Sequence, residues 1–249
     1  GLDAEQALAA LGTLSGMVLP LMLLPSALIG SIGTALLPIV TAAHATGNRA
    51  RVRALVGRAV MTVGLIGIPA TAVLIPLAPS LSLLLFAQPL TLRYAALTGA
   101  AAVAMYYQMI TSGLLNALGL QNRSVLTAVL AEFVQLALVL RWCSRPALGI
   151  YGYLLAMLLS GAGAAFFNLA VLHHATGFAL RPMRRLGLPL MCGAAAGLWT
   201  RLCALLFSAH VASPVLALAM TLAGAGMLCL ALLRLCGLHP LRYLAARRE

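Results

Sequence analysis

Seven apolar runs take up most of this chain, at residues 14–43, 54–78, 94–118, 125–140, 150–172, 186–207 and 214–235. A helix needs about 20 apolar residues to cross a hydrocarbon layer about 30 Å thick. Strands of outer-membrane barrels instead alternate apolar and polar residues over about ten positions, whereas these runs are apolar on both faces. A backbone in lipid must satisfy its own hydrogen bonds, and for such runs the helix does so. The expectation is an all-α membrane protein, a bundle of about seven transmembrane helices with its two ends on opposite faces.

Composition excludes the soluble alternative. Of 249 residues, 63% are hydrophobic and 8% charged, with a mean hydropathy of +1.04, whereas a soluble domain is about 25% charged. All sixteen basic residues are arginine, the acids are Asp3, Glu5, Glu132 and Glu249, and the net charge is +12. Such a balance can indicate nucleic acid, but the arginines sit in connections between apolar runs, where they set topology and meet anionic lipid. No nucleic-acid partner is expected. Membrane lipids are.

Counting arginines gives the orientation. One set of connections holds Arg49, Arg51, Arg53, Arg58, Arg123, Arg181, Arg184, Arg185, Arg234, Arg242, Arg247 and Arg248, and the other holds Arg93, Arg141 and Arg145. Twelve against three makes the Arg-rich side cytoplasmic, with the N-terminus out and the C-terminus in. The tail HPLRYLAARRE reads as a basic stub at the inner interface. The stretch SLSLLLFAQPLTLR, residues 80–93, is too short to cross and too apolar for a free loop, and is expected at the outer interface.

The first run carries Pro20, Pro25 and Pro38, each of which removes a backbone hydrogen bond and favours a kink. A long bent helix is predicted, with Ser26, Ser31 and Thr34 available to the freed carbonyls. Small residues at close spacing, Gly12 with Gly16, Gly30 with Gly33, Gly64 with Gly67, Gly161 with Gly163 and Gly193 with Gly197, predict close helix approach. The stretch GAGAAF from Gly161 lacks the last glycine of a dinucleotide fingerprint and follows no strand, so it reads as packing. The chain opens on Gly1, and the first crossing is too long and proline-rich for a cleavable signal. It is expected to start partway into a longer protein.

Nothing resembles an enzyme's constellation, and no cofactor or metal is expected. His44, His173, His174, His210 and His239 fall near predicted helix ends, and no serine lies in a GxSxG turn. Cys143, Cys192, Cys203, Cys229 and Cys236 form no CxxC pair and read as packing residues. Glu132 stands out because an ionisable group inside a crossing is costly unless it faces the interior or water. It reads either as a salt-bridged or protonated core acid, or as part of a coupling-ion or substrate path. Gln135 follows at i+3 on nearly the same face. Arg201 lies about 22 Å into its run and Glu132 about 12 Å, so the two pair only if the arginine extends downward; otherwise it snorkels to the outer interface. Gln108, Asn116 and Asn168 are expected to hydrogen-bond between helices. Asn116 joins Glu132, Gln135 and Arg201 as a transport-path candidate.

The opening EQALAALGTLSGMVLPLMLLPSALIGSIGTALLPIVTAAHATGNRARV resembles the helix that begins the second half of stage V sporulation protein B and related polysaccharide exporters. Gly16 and Met17 before Pro20 and Pro25, the Leu37-Pro38 step and the basic loop from Arg49 to Arg53 carry the likeness. The turn GLLNALGLQNRSV and the group Leu148, Gly149, Ile150 and Gly152 extend it. Membership of this family, within the multidrug, oligosaccharidyl-lipid and polysaccharide flippase superfamily, implies two six-helix lobes around a cavity, often with two added C-terminal helices, and access that alternates by rocking. On that mapping residues 1–13 form an extracytoplasmic segment, 14–175 five helices of the second lobe, and 176–249 two additional helices and the tail.

The resemblance implies export of lipid-linked saccharide precursors across a bacterial cytoplasmic membrane, with the first lobe missing or supplied by a partner chain, and no activity alone. The chain would be a gene fragment, a split protein or a shortened chain. A cation-coupled multidrug exporter and a non-transporting structural subunit are the alternatives. Arginines suit pyrophosphate by charge and geometry. The first helix here has none, so headgroup contact falls to the missing lobe or to Arg49, Arg51 and Arg53 at the cytoplasmic mouth, where the same three residues also serve as a topology signal.

Overall fold

A computed structural model describes residues 4–235, apart from 89, 146–147, 180–186 and 211–212. Among these residues there is no strand. Nine α-helices follow in order: α1 Ala4–Thr13, α2 Leu19–Met22, α3 Leu24–Ala45, α4 Arg49–Phe86, α5 Leu92–Ala117, α6 Gln121–Cys143, α7 Gly149–Thr176, α8 Leu188–His210 and α9 Pro214–Leu235. A π-helical segment, Leu14–Val18, joins α1 to α2. Six helices are long and apolar enough to cross a membrane, within α3, α4, α6, α7, α8 and α9. The protein is an all-α, multi-pass membrane protein.

The third expected crossing corresponds to α5, whose 26 residues are also long enough to span. It falls short only in apolarity. Tyr94, Thr98, Tyr106, Tyr107 and Thr111 are buried along it, and it packs on α3, α4, α6 and α7. A helix surrounded by others can carry hydroxyls because its neighbours or its own backbone accept them. Thr98 and Thr111, for example, donate to the carbonyls of Tyr94 and Tyr107.

The bent first helix is present, and its bends have identifiable causes. In the π segment the Leu19 N–H reaches back to the Leu14 carbonyl, immediately before Pro20. At Leu23 (φ −88°, ψ 0°) the helix breaks before Pro25. There the Ser26 N–H donates to the Leu23 carbonyl at 2.8 Å, and the Met22 carbonyl accepts the Tyr106 hydroxyl of α5. Two of the hydroxyls expected to serve the prolines act elsewhere: Ser31 donates to the Ala27 carbonyl and Thr34 to that of Ser31, not to the carbonyls of Gly16, Leu21 and Thr34 that lack a proline N–H. Within the segment expected to precede the first crossing, Ala4–Thr13 form α1, which runs straight into the π segment.

The segment at residues 80–93 divides in two. Its first half continues α4, which stays helical through Pro69, Pro76 and Pro79 to Phe86 and ends on Ala87 in the left-handed region (φ 53°). At 38 residues, α4 is about 57 Å long and exceeds the full bilayer with its headgroups. Pro76 has no N–H for the Ala72 carbonyl, and that carbonyl faces α8. A Cβ on Gly197 would stand 2.6 Å from the Ala72 oxygen, so only glycine fits there. Gly193, one turn earlier, rests on Ile68, Pro69 and Ala72.

Of the other glycines expected to pack closely, Gly33 meets Ile110, Gly67 meets the Tyr106 ring, and Gly161 meets Ala104. Gly12, Gly16 and Gly163 face open space. The basic tail, with Arg242, Arg247, Arg248, His239 and Cys236, lies outside the described residues, as do Arg181, Arg184 and Arg185.

Candidate functional site at the arginine-rich end

The start of α4, the end of α5, the start of α6 and the end of α7 meet at one end of the bundle. The α3–α4 turn that opens it is Thr46-Gly47-Asn48. Gly47 takes φ 69°, which a side chain would resist, and the Asn48 side chain caps α4 by accepting the Arg51 N–H at 3.0 Å. Thr41 donates to the Ala117 carbonyl at 3.2 Å and ties α3 to α5.

Between these ends lies a cavity of about 510 Å³, lined among others by His44, Arg49, Leu118, Leu120, Ala175 and Thr176. Arg53 forms one wall's brace. Its Nε donates to the Thr176 carbonyl at 3.3 Å, where α7 ends on Gly177 in the left-handed region. His173 shares a 2.7 Å contact between Nδ1 and the carbonyl of buried Phe178, which pins the chain leaving α7. Arg51 turns away to a separate cavity of about 370 Å³ beside Pro38, Ile39, Ala42 and Thr46. The three arginines expected to meet an anion are thus divided: Arg49 lines the central cavity, Arg53 braces it, and Arg51 stands on its far side.

The intramembrane candidates are also divided. Gln135 is half-buried and accepts the Ser160 hydroxyl of α7 at 2.7 Å. Glu132, expected on nearly the same face, is exposed on the outside of α6. Arg201 is exposed on α8. Because α6 packs on α7 and α5 while α8 packs on α4 and α9, the two charges occupy different flanks and do not pair.

Asn168 fulfils its expected role between helices, donating from Nδ2 to Ser112 at 3.0 Å and to Thr111 at 3.3 Å. Gln108 lies against Gly161. Asn116 is exposed near the end of α5, where its backbone carbonyl accepts the Gly119 N–H. The sequence places His44 only near a predicted helix end. Its place beside Arg49 depends on how the α3–α4 turn folds against α5 and α7, which helix spacing does not encode. Among the described residues no group of three His, Cys, Asp or Glu side chains could hold a metal.

No protein-family model matches this chain, and no curated protein matches it. Fold and site together define a class: a multi-pass helical membrane protein with a cavity at one end of its bundle that Arg49 and His44 help to line.

Proposed function

We propose that this chain is part of a flippase for lipid-linked saccharide precursors of the cell envelope, working with a first lobe that completes the translocation path. The observation that carries the reading is the cavity at the Arg-rich end, where Arg49 and His44 face a volume large enough for a pyrophosphate group. Arginine suits a phosphate anion by charge and fork geometry. The motif order around Gly16, Pro20, Pro25 and Pro38, which resembles the sporulation and polysaccharide exporters, supports the same reading. In it the Arg-rich end is cytoplasmic, the membrane is a bacterial inner membrane, the substrate enters headgroup first, and no covalent step occurs. The alternative of a cation-coupled drug exporter leans on Glu132, which lies outside the lining of the Arg49 cavity.

The test is export of glycan precursor in a strain depleted of its own flippase, rescued by the full reading frame that encodes this chain. Arg49→Gln should cut export by at least about tenfold, since a charge-assisted hydrogen bond contributes about 1.5–3 kcal/mol, while Arg51→Gln should cost little. Failure of the wild-type frame despite membrane insertion sinks the proposal.

A further inference from the structure

Along the outside of the α6–α7 hairpin runs a groove of about 450 Å³, separate from the Arg49 cavity. Leu126, Leu130 and Val134 of α6 form one wall and Gly163 and Phe167 of α7 the other, with Arg123 at one end. The hydroxyls in its lining are already engaged: Thr127 donates to the Arg123 carbonyl at 2.9 Å and Ser160 to Gln135 at 2.7 Å. The walls therefore suit a hydrocarbon chain and offer little to a polar ligand. At Gly163 a Cβ would meet no atom within 4 Å, so the groove is deeper there by the space of a side chain.

Length and charge identify the occupant. From Arg123 to Val134 the helix rises about 16 Å, close to half of the hydrocarbon thickness of about 30 Å. The groove spans one leaflet. Arg123 is exposed at the first turn of α6, at the end of the bundle where headgroups lie, and no acidic residue lines the groove to balance it. Glu132 is on α6 but outside the lining.

We infer that this groove binds an anionic phospholipid of the leaflet at the Arg-rich end, its phosphate on Arg123 and one acyl chain between α6 and α7. A phosphate with a second, cationic headgroup group gains less, because no carboxylate in the lining receives that cation. The inference does not depend on flippase activity.

Native mass spectrometry of the whole chain, titrated with phosphatidylglycerol or phosphatidylcholine, tests it. Wild type should retain phosphatidylglycerol preferentially. Arg123→Gln should reduce that preference about fivefold, the worth of one arginine at a charged membrane surface, and Arg123→Lys should preserve most of it. Gly163→Leu, which fills open space and leaves the helix contacts in place, should lower retention of both lipids. An unchanged preference in Arg123→Gln overturns the inference, as does unchanged retention in Gly163→Leu, which would place the lipid elsewhere. A dimer that Gly163→Leu dissolves would put a second copy in the groove and equally overturn it.

Discussion

Two seams hold helices to the middle of this bundle, and they are built on different principles. Where α8 meets α4, Gly193 and Gly197 remove side chains so that backbone meets backbone, and the carbonyl that Pro76 leaves without a partner at Ala72 points into the space. Where α7 meets α5, Asn168 reaches across to Thr111 and Ser112. Lipid tails are as apolar as leucine, so neither seam gains from a hydrophobic effect between helices. One depends on shape, which a single methyl group destroys. The other depends on polar pairs, which lose little when one bond goes.

The comparison is tested hardest at Gly197. Gly197→Leu should force α8 off α4, because the obstacle at 2.6 Å is a backbone oxygen and cannot swing aside. Overpacking costs about 1–3 kcal/mol where the surroundings can adjust, and more where they cannot. Cys192, buried next to Met61 and Leu65 at the same seam, should become reactive to a membrane-permeant maleimide. Unchanged reactivity would mean that α8 is held by something other than this close approach.

Tyr106 combines both principles and comes next in size. Its ring fills the notch at Gly67, and its hydroxyl serves the Met22 carbonyl at the break in the first helix. Tyr106→Phe keeps the ring and leaves that buried acceptor without its donor, at a cost of about 1–3 kcal/mol. Thermal unfolding in detergent should show the loss. Wild-type stability in the variant would show that the carbonyl has another donor.

Asn168→Leu should cost less, about 0.6 kcal/mol and at most about 1.7, the range for hydrogen bonds between membrane helices. Loss of cooperativity in unfolding would instead make the polar seam the stronger of the two.

The sequence disclosed these seams unevenly. Runs long and apolar enough to span announced the helices, and the prolines announced the bends in the first of them. Gly193 and Gly197 announced close packing, but only the fold shows that their neighbour is Ala72, exposed by Pro76 more than a hundred residues earlier. The stretch 80–93 is too short to cross and too apolar for a free loop, which speaks for an interfacial place but says nothing of whether it is helical. In the structure Leu81 packs against the main core and Ser82 donates to the Gln88 carbonyl at 2.8 Å, so helical geometry persists to Phe86. For the candidate site, the arginines were legible as a cluster. Their division was not, since the direction of Arg49, Arg51 and Arg53 is set by a turn around Gly47 and by the distant end of α7.

Glu132 shows the same limit and gives the smallest effect. A helix apolar all round does not reveal which face is inward, and α6 buries only Ser124 completely. Of the hydrophobic window in α4, 67% is buried, against 11% in α6. A carboxylate on such a helix looks inward by the cost of exposing it to lipid, yet here it points out while Gln135 takes the contact with α7. Glu132→Gln should therefore leave the chain no less stable, since the exposed side chain gives up no protein contact and a neutral amide within a crossing costs less than a carboxylate. Unfolding in detergent checks this with the same assay as Tyr106→Phe. A loss comparable to that variant's would mean that Glu132 is paired in the membrane, and that α6 is held by a charge as well as by Gln135.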